Sequence, residues 1–161
     1  QYGGTFENRI RMLLETVRVM RNVWPGHLPF TVRLSCTDWV EGGWTIEDSV
    51  ALSRRLKEEG VDLVDCSSGF VTPDYDRIPF GAGFQVPFAE RIRKEAGIAT
   101  AAVGDITNAM QADTIVRNGQ ADIVLLAREM LRNPYWAIQA AREVHQKDKL
   151  KAPIQYARAI D

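Results

Sequence analysis

Gly60, Gly97 and Gly119 each close a stretch of helical periodicity and stand directly before a short apolar run. A helix that ends on glycine and passes at once into a strand, and does so repeatedly, is the mark of successive βα units. The apolar runs are Phe30–Cys36, Val61–Cys66, Ile98–Val103 and Ala121–Leu126. They are short and mostly apolar, as strands of a covered parallel sheet are. Ahead of them, Thr5 is positioned to cap a helix whose apolar residues Phe6, Ile10, Leu13, Val17, Met20 and Trp24 recur at helical spacing up to Pro25-Gly26. Thr45-Ile46-Glu47-Asp48 resembles a capping box with Asp in place of Glu and opens a second helix to about Glu59. Pro87 suits the first turn of a third helix, to Ala96, and a fourth runs from about Asn108 to Asn118. Helical segments follow around Met130–Arg132 and Pro134–Val144, then a polar tail from Lys147 to Asp161.

The order is therefore one helix and then β-α four times, which argues for an α/β fold of parallel strands joined by right-handed crossovers. Two architectures share that pattern. Four βα units are half of a (β/α)₈ TIM barrel, which needs about 250 residues in full; a small open doubly wound sheet is the other. With 161 residues, a single domain spanning 1–161 with a real core is expected. Gln1-Tyr2-Gly3-Gly4 reads like the middle of a loop, so the chain is expected to be a piece of a longer one.

A formal net charge of −1 offers nothing to nucleic acid or a membrane surface. No run is long enough to span a bilayer, and none looks like a signal peptide. Cys36 and Cys66 lack Cys-x-x-Cys spacing, which favours a reduced, cytoplasmic protein over a disulfide framework. His27 and His145 have no neighbouring ligand at useful spacing, so no metal site is expected.

Ligands of parallel α/β folds bind at the C-terminal ends of the strands. The residues there are Arg33, Ser67, Ser68, Gly69, Gly104, Asp105, Ala127 and Arg128. Gly104 follows one strand and would let backbone approach a ligand closely, while Arg128 follows the next and offers a planar cationic fork. Together they suit a phosphate; turn geometry alone also explains the glycine. Arg33 lies between Val32 and Leu34, and a buried strand arginine needs an anionic partner. That partner is either a carboxylate, Asp65 or Asp105, or a bound anion. Ser67-Ser68-Gly69 reads equally as a turn or as ligand contacts, and Cys36 as a packed core residue. The long loop that follows, to Gln85, has the length of a functional one.

Several segments match a known pattern in order: Tyr2-Gly3-Gly4-Thr5-Phe6-Glu7-Asn8-Arg9, Val32-Arg33-Leu34-Ser35, Cys66-Ser67-Ser68-Gly69, Ala102-Val103-Gly104 and Arg128-Glu129-Met130-Leu131-Arg132-Asn133-Pro134. The chain resembles the old yellow enzyme family, in its xenobiotic reductase and thermophilic-type branch, over essentially its whole length. That resemblance implies the C-terminal half of an FMN-dependent (β/α)₈ barrel, from the fourth helix onward, that reduces activated C=C bonds of enone-type substrates with NADPH or NADH. It implies that Arg33 sits by the flavin N1–C2=O edge. Gly104 and Asp105 would belong to the phosphate loop after strand seven, and Ala127 and Arg128 to the Gly-Arg pair after strand eight, with Ala127 departing from the usual glycine. Arg158, in Gln155-Tyr156-Ala157-Arg158, would reach into a neighbouring subunit's site, which implies a homo-oligomer. The family's proton-donor Tyr, its carbonyl-binding His pair and its redox-tuning Cys would all precede Gln1, so no catalytic residue is expected within the chain. An absent N-terminal half would then be its partner, leaving strand edges at Phe30–Cys36 and Ala121–Leu126 open. Another phosphate-binding barrel, such as an aldolase or isomerase, and a non-catalytic half-barrel scaffold are the alternatives.

Overall fold

The computed structural model describes residues 1–73, 75–150 and 153–160; Asp74 of the long loop and Lys151, Ala152 and Asp161 of the tail lie outside them. Helix α1 (Phe6–Val23) leads into β1 (Thr31–Ser35), α2 (Ile46–Glu58), β2 (Leu63–Ser67), α3 (Val86–Ala96), β3 (Ala99–Ala102), α4 (Ala109–Arg117) and β4 (Ile123–Val124). The shorter helices α5 (Arg128–Arg132), α6 (Trp136–Glu143) and α7 (Ala157–Ile160) follow. The sheet runs β1-β2-β3-β4 with every neighbouring pair parallel. Each new strand is added on the same side of the last. With right-handed crossovers, that places every connecting helix on one face of the sheet. A doubly wound sheet needs a point where the order of strand addition reverses, and this order has none. The topology is that of a barrel sector.

Local chemistry explains where the elements stop. Helix α2 ends with the Gly60 N–H donating to the Lys57 carbonyl and the Val61 N–H to Leu56, with Gly60 at φ 81°. The same pair of bonds closes α4, from Gly119 to Val116 and from Gln120 to Ile115. Both are Schellman motifs, which need the left-handed backbone that glycine adopts freely. At the start of α2, Thr45 and Asp48 exchange the two bonds of the expected capping box. Thr5 differs: it is the residue before α1, but its side chain makes no capping bond, and only its carbonyl takes part, accepting from Asn8 and Arg9.

The strands are shorter than the apolar runs, most of all β4, which spans Ile123–Val124 rather than Ala121–Leu126. It pairs with β3 at Ala101↔Ile123 and Ala102↔Val124. Isolated bonds extend the ladder beyond the strand, from the Asp122 N–H to Thr100 and from the Leu125 N–H to Ala102.

The pleat sorts the side chains. Val32, Leu34, Val64, Cys66 and Ala102 point toward the helices and join Ile10, Leu14, Leu56, Ile92 and Ile115 in one buried cluster. Each large aliphatic side chain buried there stabilises the layer by about 1.5–3 kcal/mol. The register Arg33–Asp65–Ala101–Ile123 crosses the opposite face, where Arg33 and Ile123 are exposed. That is the face a closed barrel turns inward. Among the described residues, no helix is long and apolar enough to cross a membrane.

Candidate functional site

Because β3 and β4 are parallel, the loops that leave them lie side by side at one edge of the sheet. Between these loops is a cleft of about 100 Å³ whose lining includes Gly104, Asp105, Thr107, Ala127, Arg128 and Arg132. The structure therefore brings together Gly104, Asp105, Ala127 and Arg128 of the residues to which the resemblance assigns a role, but not Arg33 or Arg158. Asp105 takes φ 50° and turns the first loop back on itself. Arg128, the first residue of α5, places Nη2 3.5 Å from Asp105 Oδ1 while its side chain stays 79 % exposed. An ion pair so long and so exposed contributes little to stability. The guanidinium is thus held near the cleft but not committed to its partner. The Trp136 indole N–H donates to the Thr107 carbonyl at 3.0 Å and ties the loop to α6.

Gly104 has φ 116°, and a Cβ built on it would lie 2.7 Å from Gln85 Nε2 and 3.1 Å from Phe84 Cε1. The space above this glycine is filled by the chain's own loop. Packing alone therefore demands glycine here, in addition to any ligand.

Gln85 was not evident from the sequence. It is buried, and its Nε2 donates to the Val103 carbonyl at 3.0 Å while its Oε1 accepts from the Ser68 hydroxyl at 2.9 Å. Ser68 Oγ also accepts from Trp39 Nε1 at 3.1 Å. The only hint in the sequence is a polar residue at the end of the long loop, just before Val86-Pro87. The Gly69 N–H, from the loop after β2, donates to the Thr37 carbonyl in the loop after β1, and Gly69 has φ 79°. Trp39, Phe70 and Asp105, one in the loop after each of β1, β2 and β3, all have positive φ. Such conformations cost about 1–3 kcal/mol each and cluster at functional edges.

Arg33 is not buried: its side chain is 57 % exposed on the inward face. The structure corrects that expectation because only one face of the sheet is covered by helices, and the pleat puts Arg33 on the other. An anionic partner is present nonetheless. Nη1 donates to Asp65 Oδ2 at 3.0 Å and Nε to Ser67 Oγ at 3.2 Å. Asp105 pairs with Arg128 instead. Burial pushes the Asp65 carboxyl above its ordinary value, and the Arg33 charge offsets part of that rise. Arg158 is exposed on α7 and is not part of the cleft lining. Cys36 and Cys66 are free and buried in the core, and the neighbouring Cys36 thiol together with burial pushes the Cys66 thiol far up, which keeps Cys66 unreactive.

A model of the NADH:flavin oxidoreductase / NADH oxidase family matches residues 1–147. The NADPH dehydrogenase of Geobacillus sp. (strain WCH70) is 51% identical over 158 residues, 98% of this chain and 45% of that protein. The NADPH dehydrogenase of Bacillus subtilis (strain 168) is 43% identical over 159 residues, again 98% of this chain and 45% of that protein. The chain thus spans about half the length of the curated relatives it matches. Among solved structures, a 2-naphthoyl-CoA reductase superposes with TM-score 0.74 at 22% identity, over 91% of this chain and 22% of that one. Histamine dehydrogenase from Rhizobium sp. 4-9 superposes with TM-score 0.72 at 21% identity, over 91% of this chain and 21% of that one. These two likenesses bear on fold alone, and the fold is that of part of a TIM barrel.

Proposed function

Because the chain belongs to the NADH:flavin oxidoreductase / NADH oxidase family, we propose that it is the phosphate-holding half of an enzyme that reduces activated C=C bonds of enone-type substrates. Membership implies FMN and NADPH or NADH as cofactors. The observation that carries the proposal is the cleft, where Arg128, Gly104, Asp105 and Ala127 converge from two successive βα loops. These residues fit a phosphate monoester: a planar cation, weakly paired, stands beside the backbone of the Gly104–Asp105 turn. Arg128 and the backbone of the two loops would hold the phosphate.

FMN supplies the hydride-transfer chemistry when bound. On the inward face, Asp65 and Ser67 hold the Arg33 guanidinium in place, where it would stabilise negative charge on a bound flavin. Arg158 completes a neighbouring subunit's site in a homo-oligomer. The proton donor and the groups that bind the activating carbonyl come from an N-terminal half, which also closes the open edges at β1 and β4. The whole enzyme works in the cytoplasm. An aldolase or isomerase of the same architecture would leave Arg33 facing no flavin, and the family match favours the flavin.

The test is the visible spectrum and FMN affinity of the full-length protein. Wild type carries or takes up FMN and is yellow. Arg128→Ala weakens FMN binding by about 1.5–3 kcal/mol, the worth of a charge-assisted hydrogen bond, or about one to two orders of magnitude in affinity. A colourless protein that FMN does not reconstitute refutes the function, and an unchanged affinity in Arg128→Ala removes that residue from the site.

A further inference from the structure

Behind the cleft lies a buried amide to which none of these phosphate contacts assigns a role. Gln85, at the start of α3, is 5% exposed and joins three loops at once. The Trp39 indole N–H, from the loop after β1, donates to Ser68 Oγ, from the loop after β2. Ser68 donates in turn to Gln85 Oε1, and Gln85 Nε2 donates to the carbonyl of Val103, the residue immediately before Gly104. The same nitrogen stands where a Gly104 Cβ would clash. A second tether from this segment reinforces the first, the Gly83 N–H donating to the Gly104 carbonyl at 2.9 Å.

We propose that Gln85 is the positioning residue of the phosphate site, holding Val103 and with it the Gly104–Asp105 turn in the conformation that lines the cleft. The inference rests on the FMN-phosphate reading of that cleft. Its physical basis is the high cost of leaving buried polar groups unpaired. An aliphatic side chain at position 85 fills the space but leaves the Ser68 hydroxyl proton without its acceptor and the Val103 carbonyl without its side-chain donor. The loop then shifts to find them, and the turn no longer faces the phosphate. The amide does not touch the phosphate, so its effect is confined to how well the phosphate is recognised.

FMN and riboflavin differ only by the phosphate, so the ratio of their affinities isolates this effect. Both are titrated by flavin fluorescence into the apo form of the full-length enzyme. Wild type prefers FMN. Gln85→Leu lowers that preference about tenfold, the order expected when one charge-assisted bond is lost, and leaves riboflavin affinity unchanged. Ser68→Ala, a milder change that keeps Gln85, lowers the preference in the same direction. The double variant falls no further than Gln85→Leu, because both act through one amide. If Gln85→Leu does not fold, Ser68→Ala decides the question alone. An unchanged preference, or equal loss of FMN and riboflavin binding, overturns the positioning role while leaving the phosphate site standing. A wild type that binds both flavins equally overturns the phosphate site itself, and the inference with it.

Discussion

Replacing Gly104 with alanine adds one methyl group on the side of the turn packed against Gln85 and Phe84. Two costs follow. The backbone there has φ 116°, a conformation that L side chains rarely adopt, and forcing it costs about 1–3 kcal/mol. The new Cβ would also sit 2.7 Å from Gln85 Nε2 and 3.1 Å from Phe84 Cε1. Relieving such overlap in a packed region costs about another 1–3 kcal/mol. The Gln85 end cannot move away cheaply, since its nitrogen is bonded to the Val103 carbonyl. The sum, about 2–6 kcal/mol, is a large part of the 5–15 kcal/mol that holds a typical domain folded. It corresponds to a fall of about 4–20 °C in melting temperature. Urea denaturation of the full-length apo protein measures it as a lower midpoint at unchanged slope. Gly81→Ala is the control: its Cβ meets nothing within 4 Å, and its φ is not positive, so it stays within about 0.5 kcal/mol of wild type. If Gly104→Ala and Gly81→Ala unfold at the same urea concentration, the crowding argument is wrong.

Arg33→Lys keeps the charge but loses the planar fork that now meets both Asp65 and Ser67; flavin reduction by NADPH should slow and the flavin potential fall, and wild-type values of both would reduce Arg33 to a structural ion-pair residue. Asp65 has a raised carboxyl pKa, chiefly from burial, against an ordinary value of 3.8. Its protonated form is therefore favoured by folding, so the stability it contributes is complete below pH 3.8 and is lost as pH rises through the raised value. Asp65→Asn should remove that decline, and a stability difference between variant and wild type that is flat with pH would contradict it. Residues 1–161 expressed alone should self-associate, because β1 and β4 are open edges and the inward face exposes apolar surface such as Ile123; a compact monomer at all concentrations in sedimentation would count against this.

The amino-acid sequence by itself determined the elements and their order. Helix ends at Gly60 and Gly119 and the start at Thr45 depend on bonds between residues only a few positions apart, so their signals are local and can be read directly. The sequential βα order also put Gly104 and Arg128 at one edge, because parallel strands share a C-terminal end. Tertiary structure decided the rest. Whether Arg33 is covered depends on which face of the sheet the helices pack against, and a run that reads as uniformly buried does not say. Only Ile123 and Val124 of the last apolar run enter the ladder with β3, a limit the run itself does not show. The joining of Trp39, Ser68, Gln85 and Val103 was beyond reach of any pattern, since these residues are far apart in sequence and meet only where three loops are brought together. Periodicity records which face of an element is buried; it carries no record of which distant loop supplies a hydrogen bond.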